Sequence, residues 1–263
     1  MNHLPRRSTW VPPTLVIFGL LAAWEIAVLI TKTPAWLLPP PSAVARTLVA
    51  DRGILLPAFG VTLVEVLLGF AVAVVAGLAL AVVIDSSPTM RRAIYPLVVA
   101  SQTVPIPAIA PLLLIWFGYG LLPKVLVTAL IGFFAITVSA VDGFRSADRE
   151  AINLVRAMGA SNREVFRRVR LPSAAPAIFS GAKIAIAVCV IGAVFGELVG
   201  SHAGLGYLLT RALAQFRTDL VMAAIVLLSL MGIGLVWITS KVEDRALPWR
   251  RLVTSDDERA SLP

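Results

Sequence analysis

Six stretches of this chain are apolar and long enough to cross a bilayer, whose hydrocarbon core takes about 20 helical residues to span. They run roughly 12–31, 57–84, 94–117, 121–141, 174–200 and 220–240. In lipid every backbone polar group has to find a partner within the protein, and a helix satisfies its own. The expectation is an all-α membrane protein with six transmembrane helices. Composition agrees, with 58% hydrophobic and 14% charged residues and a mean hydropathy of +0.88, outside the range of ordinary soluble domains.

Arg6 and Arg7 ahead of the first run imitate a signal peptide, but the run is long and no small-residue cleavage site follows. An uncleaved span is expected. With the N-terminus in the cytoplasm, the 85–93 turn, the 142–172 loop and both tails carry sixteen of the 23 Lys and Arg; the opposite side carries six, and Lys183 lies within a span. That excess predicts an N-in, C-in orientation. The domain boundaries follow: a tail over 1–11, a membrane domain over 12–240 with its cytoplasmic loop at 142–172, and a tail over 241–263. The net charge of +8 does not point to nucleic acid, because the basic residues sit between apolar runs. One cysteine, Cys189, allows neither an internal disulfide nor a thiol-rich metal site.

The third run contains Pro96, Pro105, Pro107 and Pro111. Backbone stripped of donors is tolerated at membrane depth only where protein or a water-filled cavity surrounds it. Gln102, Pro105 and Pro107 are therefore expected to face the bundle interior, as part of a pathway; a kinked span without a pathway role is the alternative.

The loop segment NLVRAMGASNREVFRRVRLPSAAP, residues 153–176, is more patterned than a connector needs. Helical spacing places Ile152, Val155 and Met158 near one face, and Gly159 stands where a left-handed stop is cheapest. Ser161-x-x-Glu164 has the form of a capping box, so a second helix starts near Ser161. Along it Arg163, Arg167 and Arg170 form a basic stripe and Val165, Phe166 and Val169 an apolar one, with Leu171-Pro172 expected to end the helix. A compact helix–turn–helix knob results, with one face for the membrane domain and another for a partner. A surface helix resting on anionic lipid is the alternative, but such a helix gains from continuity and this one is broken.

Gly159 followed by nine residues and Val169-x-Leu171-Pro172 resembles the cytoplasmic loop motif of binding-protein-dependent ABC importer permeases. In that motif a Glu-Ala-Ala triplet precedes the glycine by three residues. Here those positions are Asn153, Leu154 and Val155, with Glu150-Ala151 three places out of register, so a docking contact by that glutamate does not carry over. Leu38-Pro39-x-Pro41-Ser42-Ala43-Val44, QTVPIPAIAPLLLIWFGYG from Gln102 and GELVGSHAGLGYL from Gly196 are similar to the nitrate, sulfonate and taurine branch. VIGAVFGELVG and AMGAS are similar to its pyrimidine-precursor and riboflavin members. The resemblance implies a type I importer permease fold in the cell membrane, a homodimer or paired membrane domain, two cytoplasmic ATPase subunits and an extracytoplasmic solute-binding protein. It implies an ATPase-coupling role for Asn153, Gly159, Ala160, Ser161, Arg163, Glu164, Phe166, Arg167, Val169, Leu171 and Pro172. The substrate it implies is a small heterocyclic vitamin or precursor, ahead of a sulfonate, taurine or nitrate-like anion.

The chain has no Gly-x-x-x-x-Gly-Lys-Ser/Thr segment, so no cofactor is expected on it and ATP is expected on the partner. Ionisable residues within apolar runs have to face the interior or find partners. Glu197, between Gly196 and Gly200, is a pathway or gate candidate, with a carboxylate in interfacial water as the alternative. Lys183 is a further pathway candidate as a substrate contact, with a structural ion pair or a route to the surface as the alternative. Glu25 and Glu65 read as helix-packing groups. Gly204-Leu205-Gly206-Tyr207 is either a plain turn or an ordered element near the gate. A membrane-embedded enzyme would need clustered acid–base or metal-binding residues, whereas the two histidines, His3 and His202, stand apart. An ion-gradient-driven carrier working without an ATPase is the remaining rival, and it leaves the cytoplasmic knob unexplained.

Overall fold

A computed structural model describes residues 11–248 of the protein, with side chains from Thr14 onward. The expected terminal basic residues Arg6, Arg7, Arg250, Arg251 and Arg259 lie outside the described residues. Helices α1 (Val11–Thr31), α3 (Arg52–Ser86), α6 (Leu121–Arg145), α9 (Leu171–Gly200) and α11 (Thr218–Ala246) are each long and apolar enough to span. They match the first, second, fourth, fifth and sixth apolar runs. Among the described residues there is no strand.

Shorter helices fill the connections. At one end of the bundle lie α2 (Pro41–Ala50) and α10 (Leu205–Ala214); at the other lie α7 (Arg149–Ala157) and α8 (Asn162–Val165). The third run forms two helices, α4 (Pro88–Ser101) and α5 (Ile106–Phe117), bent by 96° at the break between them. Proline chemistry explains the break. Pro105 is the residue before α5 and Pro107 lies in its first turn, where a missing N–H costs nothing.

Within the single chain Gln102, Pro105 and Pro107 are exposed on the surface. Only Val98 of α4 and Ala110 and Leu113 of α5 are buried.

Helices α3, α6 and α9 form the centre, and small residues let their backbones approach. A Cβ on Gly77 would lie 2.8 Å from Ile136 Cγ2, and one on Gly132 would lie 2.6 Å from Cys189 Sγ. Ala73, Ala140, Ala185 and Ala193 are fully buried in the same seams. Helix α1 is tied to the rest through Glu25, whose carboxylate accepts from Ser42 N–H at 3.0 Å and Ser42 Oγ at 2.7 Å. It thereby caps a first-turn donor of α2 that has no partner within its own helix.

One expectation is corrected at Leu171-Pro172, which does not end the helix begun at Ser161. Helix α8 runs through a π-helical turn, Phe166–Arg170, directly into α9. Leu171 N–H reaches back five residues to the Phe166 carbonyl. Pro172 has no N–H to give and its ring crowds the carbonyl four residues earlier. Widening the ladder by one residue relieves that clash without breaking the helix.

Candidate functional site

At the α7–α8 end the loop is built as its sequence predicts. Asp148 accepts from Glu150 N–H at 2.9 Å and opens α7. Gly159 has φ +88, Gly159 N–H bonds Arg156 O at 2.9 Å and Ala160 N–H bonds Val155 O at 3.2 Å. This is a complete Schellman stop. Ser161 and Glu164 form the reciprocal capping box, with Ser161 N–H on Glu164 Oε2 at 2.9 Å and Glu164 N–H on Ser161 Oγ at 3.3 Å.

The knob is anchored by Ile152 and Val165, buried with Ala147 and backed by Val155, Ala160 and Val169. Phe166 lies against Phe144 with ring centroids 5.3 Å apart. Phe166 thus faces the membrane domain, while Val169 packs on the knob's own cluster.

Two placements differ from the expected faces. Met158 is 79% exposed and Leu154 64% exposed, so Met158 does not join Ile152 on the inner face; its position past the last full turn of α7 swings it outward. Arg170 leaves the basic stripe as well. The π turn shifts its phase inward, where its guanidinium bonds Asp85 at 2.5 Å, and Asp85 also takes Arg91 at 2.7 Å. Asn153, Arg163 and Arg167 remain exposed. The outward surface of the knob therefore includes the apolar pair Leu154 and Met158 on and just past α7 and the exposed basic residues Arg163 and Arg167 that follow the Ser161 cap. Sequence reasoning passed over Leu154 because it sought a Glu-Ala-Ala triplet there; an apolar residue one turn before Met158 was the available signal.

At the opposite end Glu197 is 1% exposed, which removes the interfacial-water reading. Its carboxylate accepts from Thr62 Oγ1 at 2.6 Å and from Gly206 N–H at 2.5 Å. Thr62 Oγ1 in turn accepts from Leu205 N–H at 2.8 Å. Glu197 and Thr62 together satisfy the first donors of α10, which has no cap of its own. Gly204 and Gly206 make the space: Gly204 has φ +106, and a Cβ on either would strike the Glu197 carboxylate. Gly204 to Tyr207 is thus the ordered start of α10, not a plain turn.

Beside this cluster lies an ion pair the sequence reading missed. Lys124 Nζ, in the first turn of α6, bonds Glu65 Oε1 at 2.6 Å and Ser201 Oγ at 2.8 Å. Its position at the edge of an apolar run made it look like a loop charge. Lys183 pairs with Glu243 at 2.7 Å and joins α9 to α11, which supplies the partner its depth demanded. Gln102, Pro105 and Pro107 belong to neither cluster. Among the described residues no group of His, Cys, Asp and Glu is placed to hold a metal.

A bundle of long apolar helices with a shaped knob at one end and a clamped short helix at the other defines a polytopic membrane permease. Residues 69–247 match the model of the binding-protein-dependent transport system inner membrane component family, and the chain belongs to that family. It is 39% identical to the formylaminopyrimidine transport permease protein of Halalkalibacterium halodurans, over 91% of this chain and 96% of that one. To the riboflavin transport system permease protein of Chloroflexus aurantiacus it is 35% identical, over 91% and 89%. To the taurine transport system permease protein of Escherichia coli it is 30% identical, over 94% and 91%. Among solved structures, the inward-facing MetNI methionine ABC transporter matches with TM-score 0.58 at 20% identity, over 76% of this chain and 97% of that one. An amino acid ABC transporter matches with TM-score 0.60 at 16% identity, over 77% and 96%. The fold is that of ABC importer permeases, and the protein is a multi-pass inner-membrane permease subunit of an ATP-driven, binding-protein-dependent importer.

Proposed function

We propose that this permease works as a homodimer, N-in and C-in, with ATP bound and hydrolysed on a separate cytoplasmic subunit that docks on the α7–α8 knob. The observation that carries the reading is the exposed pair Leu154 and Met158, held in place by the Schellman stop and the capping box. Exposed apolar anchors on a short rigid helix suit a groove in a partner. The exposed break at Gln102–Pro105 favours a second copy, since irregular backbone facing lipid is untenable. Glu197, Thr62 and the start of α10 form the latch of the outer gate in this reading.

The substrate is a small heterocycle of the aminopyrimidine type, ahead of a flavin and then of a sulfonate or taurine-like anion. Support for that order comes from the identities of 39%, 35% and 30% to the three named relatives. Proteoliposomes containing the permease, its ATPase and its binding protein should take up a formylaminopyrimidine only when ATP and all three components are present. Uptake by the permease alone under a proton or sodium gradient would overturn the proposal. Uptake of taurine with none of the pyrimidine would reverse the substrate order.

A further inference from the structure

A cleft of about 490 Å³ opens between the end of α3, the start of α4 and the knob. Four arginines line it, Arg91, Arg156, Arg163 and Arg170, against one carboxylate, Asp85. Asp85 is spent on Arg91 and Arg170. Arg156 reaches only the neutral amide oxygen of Asn162, at 3.3 Å. Arg163 has no acceptor among the described residues, and Arg91 Nε is buried without one. The cleft therefore holds an excess of positive charge and several unused guanidinium donors, the arrangement that receives a phosphate or carboxylate through charge-assisted bonds.

What enters is indicated by the surface that leads to it. Val82 lines the cleft, and it ends a stripe of exposed residues along α3, Leu68, Val72, Val75, Ala79 and Val82, spaced to fall on one face. Val75 is 71% exposed. An apolar track ending in a basic hole is shaped for a molecule with a hydrocarbon tail and an anionic head. Basic recesses between helices at a membrane boundary take lipid head groups.

We propose that this cleft is a binding site for the phosphate head group of an anionic phospholipid, its acyl chain lying along the Leu68–Val82 stripe. A lipid seated there touches Arg156 and Arg163 of the knob and Arg91 of α4 at once, and so stiffens the knob against the spans. An acidic side chain of the ATPase would satisfy the same guanidiniums but leaves the stripe without a role.

The test uses the full-length permease purified from lipid mixtures of phosphatidylglycerol and phosphatidylcholine, with bound lipid read by native mass spectrometry. Phosphatidylglycerol should be retained selectively. Arg156→Gln should lower its retention about tenfold, the loss of one charge-assisted bond, and Arg91→Gln should act likewise; if the latter does not fold, Arg156→Gln decides. Asp85→Asn removes the one negative charge and should retain the lipid at least as well as the wild type, a result that a merely structural loss at Asp85 would not give. Inorganic phosphate at millimolar concentration should not displace the lipid. Equal retention of the two lipids, unchanged retention in Arg156→Gln, or displacement by free phosphate would each overturn the proposal. Stoichiometric expulsion of the lipid on adding the ATPase subunit would also overturn it and assign the cleft to that partner.

Discussion

Gly159 has open space around its Cα, so what a larger side chain meets there is conformational, not steric crowding by neighbours. At φ +88 a residue with a Cβ costs about 1–2 kcal/mol, and a branched one more. Gly159→Val should leave the spans inserted while either straining the stop or letting α7 run on, and both outcomes re-aim Arg163 and Arg167. Co-purification of the ATPase and transport should fall severalfold; normal assembly and uptake would remove the knob from the coupling path. The Glu65–Lys124 pair gives a different kind of test. Lys124→Met strands a carboxylate in the bundle and should cost about 3–5 kcal/mol, whereas replacing both members by apolar residues should recover most of it. Thermal unfolding in detergent of both single variants and the double variant checks this, and a double-variant loss equal to the sum of the two single losses would mean the pair is not coupled.

At the scale of the element, the π turn sets the phase between knob and span. Each residue of an α-helix turns the chain by about 100°, so one extra residue in the Phe166–Arg170 ladder rotates α8 relative to α9 by that order. It is this rotation that turns Arg170 toward Asp85 and leaves Arg163 and Arg167 outward. Pro172→Ala restores a donor and removes the ring that forces the wide turn. The helix should then close to regular α geometry with no loss of thermal stability, while ATP-driven uptake drops because the knob points elsewhere. Unchanged uptake with a more stable protein would show that the phase is set by the Asp85–Arg170 contact and not by the proline.

For the whole molecule, the broken α4–α5 pair is where the proposed homodimer can be tested. Gln102 to Pro105 expose irregular backbone; the N–H groups of Gln102, Thr103 and Val104 close tight turns on Val99, Ala100 and Ser101, but non-helical backbone facing hydrocarbon is disfavoured unless protein covers it. In the proposed homodimer a second copy covers the break. Because Cys189 is the single cysteine and is buried, Gln102→Cys introduces one reactive thiol. A short bifunctional thiol reagent should convert this variant into covalent dimers in native membranes. Recovery of monomer alone would place the break elsewhere than at the interface between copies.

The sequence by itself determined five of the spans, the proline break in the third apolar run, the Gly159 stop and the Ser161 cap. Each rests on chemistry within a few residues: apolar length, a positive φ, a hydroxyl and a carboxylate three residues apart. The family resemblance was legible for the same reason, since its motif lies in one continuous loop. Tertiary structure alone decided which polar residues meet. Thr62 and Glu197, Glu65 and Lys124, and Asp85 and Arg170 are each at least 59 residues apart in the chain, and no local pattern encodes such pairs. It also decided that Pro172 is absorbed in a continuous helix and that Gln102 faces outward. A proline's steric demand is local, but whether a helix widens or stops depends on the packing of Phe166 against Phe144 and the hold of Asp85 on Arg170, and those arise only once α3, α6 and α9 have closed on one another.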